Sequence, residues 1–364
     1  MKNVILLTPL TGNGGIASWS RKFIETFQDE EYSIIPIDRT AKGRTSEETT
    51  FIKRMKAGLA EMKHNISQIK AEMLKQHIDI LHTTTSGSLG TYRDYKVAKL
   101  CRKNGIKLVM HCRYGCIPED IKTPFYGKFL QKTMGLYDQI WVLDTLSAKT
   151  LKEYSFLKDK VFVTPNSIHV DKDIQIKPSD YRHIAFIANL IPSKGLFELI
   201  KAFIELGRDD LKLSIVGTGQ HDIINHAKKI AGNNLGKNIF LLGQLPNEEA
   251  VKFMQSIDIL ALPTYYPWEA FPISILEAMS LGKLVISTRR AAIGDMLTGL
   301  DGKPCGIFVK EKSIEDIISA IKWCIEHHNE ADSLRRNAYN KVYQCYRMDV
   351  VYDLYKRHYQ NLIG

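Results

Sequence analysis

The sequence predicts an α/β protein made of two Rossmann-like, doubly wound domains. Three observations carry that expectation. A length of 364 residues suits two domains of roughly 150 to 200 residues each. Short apolar runs alternate with helical patterns along the whole chain, the arrangement that gives parallel sheets covered by helices. The alternation also restarts near residue 183, after a stretch of Asp, Lys and Pro over 166–181 that suits a linker.

The first series opens with an apolar run over 4–8, broken by Gly12, Gly14 and Gly15. That run is too brief for a secretory signal and reads as a buried strand. A helix follows over 16–27, a strand over 33–37 and a long helical stretch. Strands over 78–82 and 107–111 flank a helix over 92–104, and strands over 140–143 and 161–164 flank a short one. The second series places strands at 183–188, 211–216, 238–242, 257–262, 284–288 and 306–309. Helices lie between them at 195–206, 222–231, 247–255, 272–281 and 314–327, and a last helix covers 350–362. In open sheets of this kind a ligand lies beyond the carboxyl ends of the strands, so two of them facing each other hold it in a central cleft.

Composition narrows the function. The 44% apolar and 25% charged content is that of a soluble globular chain. No apolar run reaches the roughly 18 residues of a membrane-spanning helix. The six cysteines (101, 112, 116, 305, 324, 345) form no CxxC pair and no zinc spacing, which fits reduced thiols in a cytosolic protein. The net charge of +10 is uneven: residues 1–170 carry +9 and residues 171–364 carry +1. A basic first half suits an anionic partner, or is a solvated surface with none. Within it, Ile52, Met55, Leu59, Met62, Ile66, Ile69 and Met73 form one apolar stripe flanked by lysines. Such a helix either packs on its own sheet or lies on an anionic membrane.

The window carrying most chemistry is Pro267-Trp268-Glu269-Ala270-Phe271-Pro272-Ile273-Ser274-Ile275-Leu276-Glu277-Ala278-Met279. Pro272 falls where the first helical turn begins and Gly282 falls just past its end. The helix N-terminus then faces the loop holding Glu269, a phosphate-binding geometry. Both carboxylates would repel a phosphate in contact, so they suit hydroxyls on either side of it. A nucleotide sugar has that layout. Taken singly, Glu277 reads as a first-turn dipole partner, Glu269 as a loop carboxylate, Lys194 as a surface lysine and His111 as a satisfied histidine at a strand end.

Glu269, seven residues and Glu277 resemble the E-x7-E motif of retaining GT-B glycosyltransferases of family 4. Phe186 to Gly195 resembles that family's diphosphate-binding strand-loop-helix, and Gly217-Thr218-Gly219 its glycine turn. Thr164 to Ile168 resembles the end of its first domain, Gly12-Asn13-Gly14-Gly15 its N-terminal glycine loop, and Val109-Met110-His111 its strand-end histidine. The resemblance spans about residues 3–360. It implies an acceptor-binding domain over 1–170, rejoined by a helix at 348–364, and a donor-binding domain over 180–345.

By the same resemblance Glu277 binds the ribose diol and Glu269 sits by the transferred sugar. Lys194 neutralises the departing diphosphate, and His111 contacts the sugar. Amides around Phe271, Pro272, Ile273 and Ser274 hold oxygens, as does the turn at Gly217. Gly14 and Gly15 let the backbone approach the diphosphate. The implied reaction moves a hexose-type sugar from a nucleotide-diphosphate sugar to a glycan or lipid-linked acceptor, with no metal. The implied setting is bacterial surface-polysaccharide or lipopolysaccharide synthesis, in the cytoplasm or peripherally on the inner face of the plasma membrane.

Three positions depart from the family. Asn189 stands where it has an Arg, for which Arg113, Arg289 or Arg290 would compensate. Ala291-Ala292 replaces its later glycine pair, and Asn166-Ser167 its Asn-Gly. Asp171-Lys172-Asp173 matches a metal-binding D-x-D but falls in the linker. Two enzymes compete with the transferase: a nucleotide-sugar epimerase or hydrolase of the same fold, and an NAD-dependent oxidoreductase using Gly12–Gly15 and Asp38. The oxidoreductase leaves the Glu269–Glu277 window without a role. No nucleic-acid motif is present.

Overall fold

The computed structural model of the chain describes residues 1–12, 14–40, 51–170 and 174–364. They form two compact units, Met1–Thr164 with Tyr352–Gly364, and Pro165–Val351. Asn13 and the Asp171-Lys172-Asp173 motif lie outside the described residues.

The first unit holds a six-stranded sheet: β1 (Lys2–Thr8), β2 (Tyr32–Asp38), β3 (Ile80–Thr85), β4 (Lys107–Cys112), β5 (Gln139–Val142) and β6 (Val161–Val163). Their order is β2-β1-β3-β4-β5-β6 and every pairing is parallel. Val4, Ile5, Leu6 and Leu7 are all buried, as a central parallel strand with both faces covered requires. The covering helices are α1 (Gly15–Thr26), α2 (Phe51–Lys75), α3 (Gly90–Lys103), α4 (Ile117–Asp120), α5 (Tyr126–Met134) and α6 (Thr145–Lys152). From β1 the chain steps to one side, then returns to β3 on the other. The ligand crevice of such a sheet opens at that reversal.

The second unit has β7 (His183–Ile187), β8 (Lys212–Val216), β9 (Ile239–Gly243), β10 (Ile259–Leu262), β11 (Leu284–Ser287) and β12 (Ile307–Phe308). Their order is β12-β11-β10-β7-β8-β9, all parallel. Its helices are α7 (Leu196–Leu206), α8 (His221–Ala231), α9 (Asn247–Gln255), α10 (Ile273–Ser280), α11 (Ile293–Met296), α12 (Ile314–Glu326) and α13 (His328–Cys345). Here the strand order reverses between β7 and β10. The last helix, α14 (Met348–Ile363), starts in this unit, and its residues from Tyr352 onward belong to the first.

Three expectations are refined by the structure. The end of the expected linker is tied down: the Tyr181 hydroxyl donates to Asp332 (2.5 Å), Ser179 donates to Asp258 (2.5 Å) and Arg335 bonds the Lys177 carbonyl. These bonds fasten its end to the second unit. The α2 stripe follows the core reading from Met62 to Met73, with Met62 and Ile69 buried and Ile66 and Met73 packed on the first unit's central cluster, while Leu59 is 41% exposed. Finally, α4, α5, α11 and α13 were not foreseen. The buried side of α13 mixes Asp332 and Arg335 with Ala331, Leu334, Ala338 and Val342, so its apolar period is thin.

Candidate functional site

The loops leaving β7 and β10 flank the reversal point of the second sheet. Residues 188–195 end in a single 3-10 turn, Pro192–Lys194, closed by Gly195 at φ +83°. A Cβ on Gly195 would lie 2.3 Å from the Pro263 carbonyl oxygen, so only glycine lets this loop rest on the end of β10. The Tyr265 N–H donates to the Ser193 carbonyl at 2.7 Å and staples the two loops together.

That staple aims Lys194 at Glu269. Their Nζ and Oε2 atoms are 2.6 Å apart, and Thr264 Oγ1 lies 3.0 Å from the same carboxylate oxygen. Lys194 Nζ also lies 5.0 Å from the centroid of the Tyr266 ring. Glu269 is 5% exposed. Its N–H donates to the Tyr266 carbonyl at 3.0 Å, closing a tight turn. Two residues picked separately from the sequence therefore form one buried ion pair.

Beyond that turn, Pro272 is the N-cap of α10, one position earlier than expected, and its own side chain makes no capping bond. The first ladder bond runs from the Leu276 N–H to the Pro272 carbonyl (3.3 Å), so the amides of Ile273, Ser274 and Ile275 precede the helical ladder. They carry the positive end of the helix dipole. Ile273 is exposed and Ser274 half-buried, so this end is reachable from solvent. Phe271 is buried, edge-on to Tyr346, and its carbonyl accepts from Asn166 Nδ2 at 3.2 Å. Glu277 is half-buried and lies in the second turn of α10, a correction to the first-turn expectation. Gly282, at φ +61°, ends the helix.

Around this centre the glycine turn and the arginines have framework duties. Gly217 has φ +144°, and a Cβ there would be 1.9 Å from the Ala188 carbonyl oxygen. Its glycine is thus required by the β8 loop packing against the β7 loop, where the Leu190 N–H donates to Thr218 (2.8 Å) and Asn189 is exposed. Arg290 donates to the carbonyls of Tyr266 (3.0 Å) and Pro267 (3.2 Å), and Arg289 stacks on Phe308 at 3.7 Å. Arg290 thereby braces the Glu269 loop rather than replacing the arginine absent at Asn189. Ala291 sits at φ +44°, so the backbone keeps a glycine-like conformation where the sequence carries Ala.

In the first unit, Gly14 is the N-cap of α1, and a Cβ on Gly14 or Gly15 would meet nothing within 4 Å. Both leave open space at an uncapped helix end. Asp38 Oδ1 accepts from Leu10 N–H (2.9 Å), Thr40 N–H (2.8 Å) and Thr40 Oγ1 (2.5 Å). That carboxylate braces the loop, which weakens its reading as a cofactor ribose ligand.

His111 is 0% exposed and walled by Trp19, Trp141 and Tyr355. Its Nε2 is 3.2 Å from Arg113 Nη1, its Nδ1 is 3.2 Å from His82 Nε2, and His82 Nδ1 is 2.5 Å from the Tyr359 hydroxyl. Arginine only donates, so the consistent proton order puts a hydrogen on Nδ1 of both neutral histidines. Burial, with Arg113 close by, depresses His82 to about 3 and holds His111 well below its usual range. The sequence reading missed His82 and Tyr359. The His-Thr-Thr-Thr run closing β3 was the available signal, being polar inside a buried strand.

Two parallel sheets of these orders, each with helices around it, define the GT-B fold of glycosyltransferases. Within it, residues 167–341 match the glycosyl transferases group 1 family. A glycosyltransferase of Rickettsia africae has the same fold, with a TM-score of 0.76 at 17% identity over 100% of this chain and 99% of its own. The Anabaena protein Alr3699/HepE, solved in complex with UDP, gives a TM-score of 0.70 at 16% identity over 100% of each chain. An uncharacterized glycosyltransferase of Methanocaldococcus jannaschii is 26% identical over 80% of this chain and 77% of its own length. The D-rhamnosyltransferase WbpZ of Pseudomonas aeruginosa is 29% identical over 45% of this chain and 42% of its own length. Residues 167–341 thus resemble the group 1 glycosyltransferase family, within a two-domain fold shared with solved glycosyltransferases. Among the described residues no helix is long and apolar enough to cross a membrane.

Proposed function

We propose that this chain transfers a hexose-type sugar from a nucleotide-diphosphate sugar to a glycan or lipid-linked acceptor, retaining anomeric configuration and using no metal. The observation that carries the reading is the Lys194–Glu269 pair set beside the start of α10. Sugar transfer builds negative charge on the departing phosphate. A lysine and the amides that precede a helical ladder stabilise charge at that place. Glu269, fixed by Thr264, accepts from hydroxyls of the transferred sugar while Lys194 turns to the phosphate. Glu277, one turn further along the helix, takes the ribose diol. Retention follows if the acceptor enters on the face the phosphate leaves, because a phosphate oxygen then takes the acceptor proton and no protein nucleophile is needed. The UDP bound by the Anabaena protein supports a nucleotide donor here. The basic first unit supports an acceptor at the inner face of the plasma membrane, where bacterial surface polysaccharide is assembled.

A thermal-shift panel of nucleotide sugars in EDTA tests this, followed by transfer with the best binder and NMR of the product anomer. A stabilising donor and a retained anomer are expected. No shift with any nucleotide sugar, or activity appearing only with added metal, contradicts the reading. Release of free or inverted sugar in place of transfer favours the epimerase or hydrolase.

A further inference from the structure

The first unit carries a second, separate surface feature at the carboxyl edge of its sheet. Helices α3 and α5 begin side by side there: the Tyr126 hydroxyl accepts the Ser88 N–H at 2.6 Å and lies 2.9 Å from Thr91 Oγ1. The residues just ahead of the two helices are Leu89 and Phe125. Leu89 is 60% exposed, Phe125 91% and nearby Tyr92 44%. The helices are joined along their length by Tyr92 and Tyr95 against Phe129, at ring separations of 6.4 and 5.5 Å.

Lysines lie beside this apolar tip and along the two helices behind it. Lys96 lies 5.3 Å from the Tyr92 ring, and Lys99 and Lys132 each lie 5.6 Å from the Tyr95 ring. Lys122 and Lys128, both exposed, flank Phe125 along the chain. Acidic charge is scarce in the same place. The sequence of α5 has no acid, and the one acid of α3, Asp94, is buried and paired with Arg93 at 2.7 Å. Asp120, at the end of α4, is the nearest acid along the chain, and burial raises its pKa.

We infer that this edge docks on an anionic lipid bilayer, with Leu89, Tyr92 and Phe125 entering the headgroup layer and the five lysines over it. Apolar side chains that protrude beside lysines match a surface that is apolar just below and negative on top. A protein partner would bury those tips equally well, but would need an acidic face around an apolar socket. The inference deepens the membrane setting proposed above by moving it from α2, whose stripe is core from Met62 to Met73, to the α3–α5 edge. It also puts the bilayer beside the loops after β1 and β3, where this sheet binds ligands.

Vesicle co-sedimentation of the full chain tests it, using pure phosphatidylcholine or a 1:1 mixture with phosphatidylglycerol. Sedimentation with the anionic vesicles alone is expected. Leu89→Ser/Phe125→Ser should weaken it about tenfold or more. Lys96→Gln/Lys128→Gln/Lys132→Gln should weaken it about hundredfold, at roughly a factor of five per lysine. All these side chains are at the surface, so the melting temperature should stay within about 2 °C of wild type. Wild type left in the supernatant with anionic vesicles, or sedimentation unchanged in both variants, overturns the inference. Donor binding in the thermal-shift panel separates the two claims. Vesicle binding without donor binding sinks the transferase reading, and donor binding without vesicle binding sinks this one.

Discussion

Replacing Lys194 by Met keeps most of the side-chain volume and removes the charge 2.6 Å from Glu269. The two side chains are 13% and 6% exposed, so solvent does little to screen them. Loss of one partner leaves a buried carboxylate with the Thr264 hydroxyl but no cation. Breaking a buried pair in this way costs about 3–5 kcal/mol. Changing Glu269 to Gln as well removes the orphaned charge, so Lys194→Met/Glu269→Gln should recover a large part of that loss. The assay is a double-mutant cycle on urea unfolding, with a coupling energy of about 2 kcal/mol or more expected. Donor turnover should fall in every member of the cycle that lacks Lys194, including the restabilised double variant. That separates a stabilising role from a catalytic one. Additive effects, with Lys194→Met alone costing under about 1 kcal/mol, would refute the claim that the pair organises the loop.

Three further outcomes follow from single positions. Glu277→Ala should weaken donor affinity about tenfold to hundredfold with the fold intact, the value of charged hydrogen bonds to a diol; an unchanged dissociation constant by calorimetry rejects the assignment. Ala291→Gly should raise stability by about 0.5–1 kcal/mol, because relief of the left-handed strain exceeds the added chain entropy; a destabilised variant in urea would show that φ +44° costs nothing there. The first unit should weaken in acid. Unfolded histidine takes its proton near 6.5, whereas buried His82 does so at about 3 and His358 at about 4. Between those values the unfolded chain binds more protons. Stability is therefore complete above about 6.5 and is lost as pH falls, by up to about 1.4 kcal/mol per pH unit for each histidine. A flat urea midpoint for the first unit between pH 7 and 5 would contradict that burial.

Much of the fold was legible because its strands are continuous apolar runs, the pattern that burial on both faces imposes. Residues 4–7 and 259–262 are examples: each is buried throughout and each lies inside a predicted strand. Helix α13 was not legible, since Asp332 and Arg335 lie on its buried side and serve Tyr181 and Lys177, partners more than 150 positions away. The site divides in the same way. Glu269, Lys194 and the start of α10 were marked by local wording around one turn. The pairing of Lys194 with Glu269 depends on Gly195 meeting Pro263, a tertiary contact with no trace in spacing. The partners of His111 were not legible, because a strand-end histidine looks alike in sequence whether or not it joins a buried relay such as that of His82, Tyr359 and Arg113. Gly217 reads as a ligand glycine in sequence and as a packing glycine in three dimensions.

The most direct measurement is a crystal structure of the full chain soaked with the nucleotide that raises its melting temperature most. The account predicts a terminal phosphate within hydrogen-bond distance of the Ile273–Ile275 amides and of Lys194 Nζ, with the ribose hydroxyls at Glu277. A nucleotide bound elsewhere, with those amides facing only water, would contradict it.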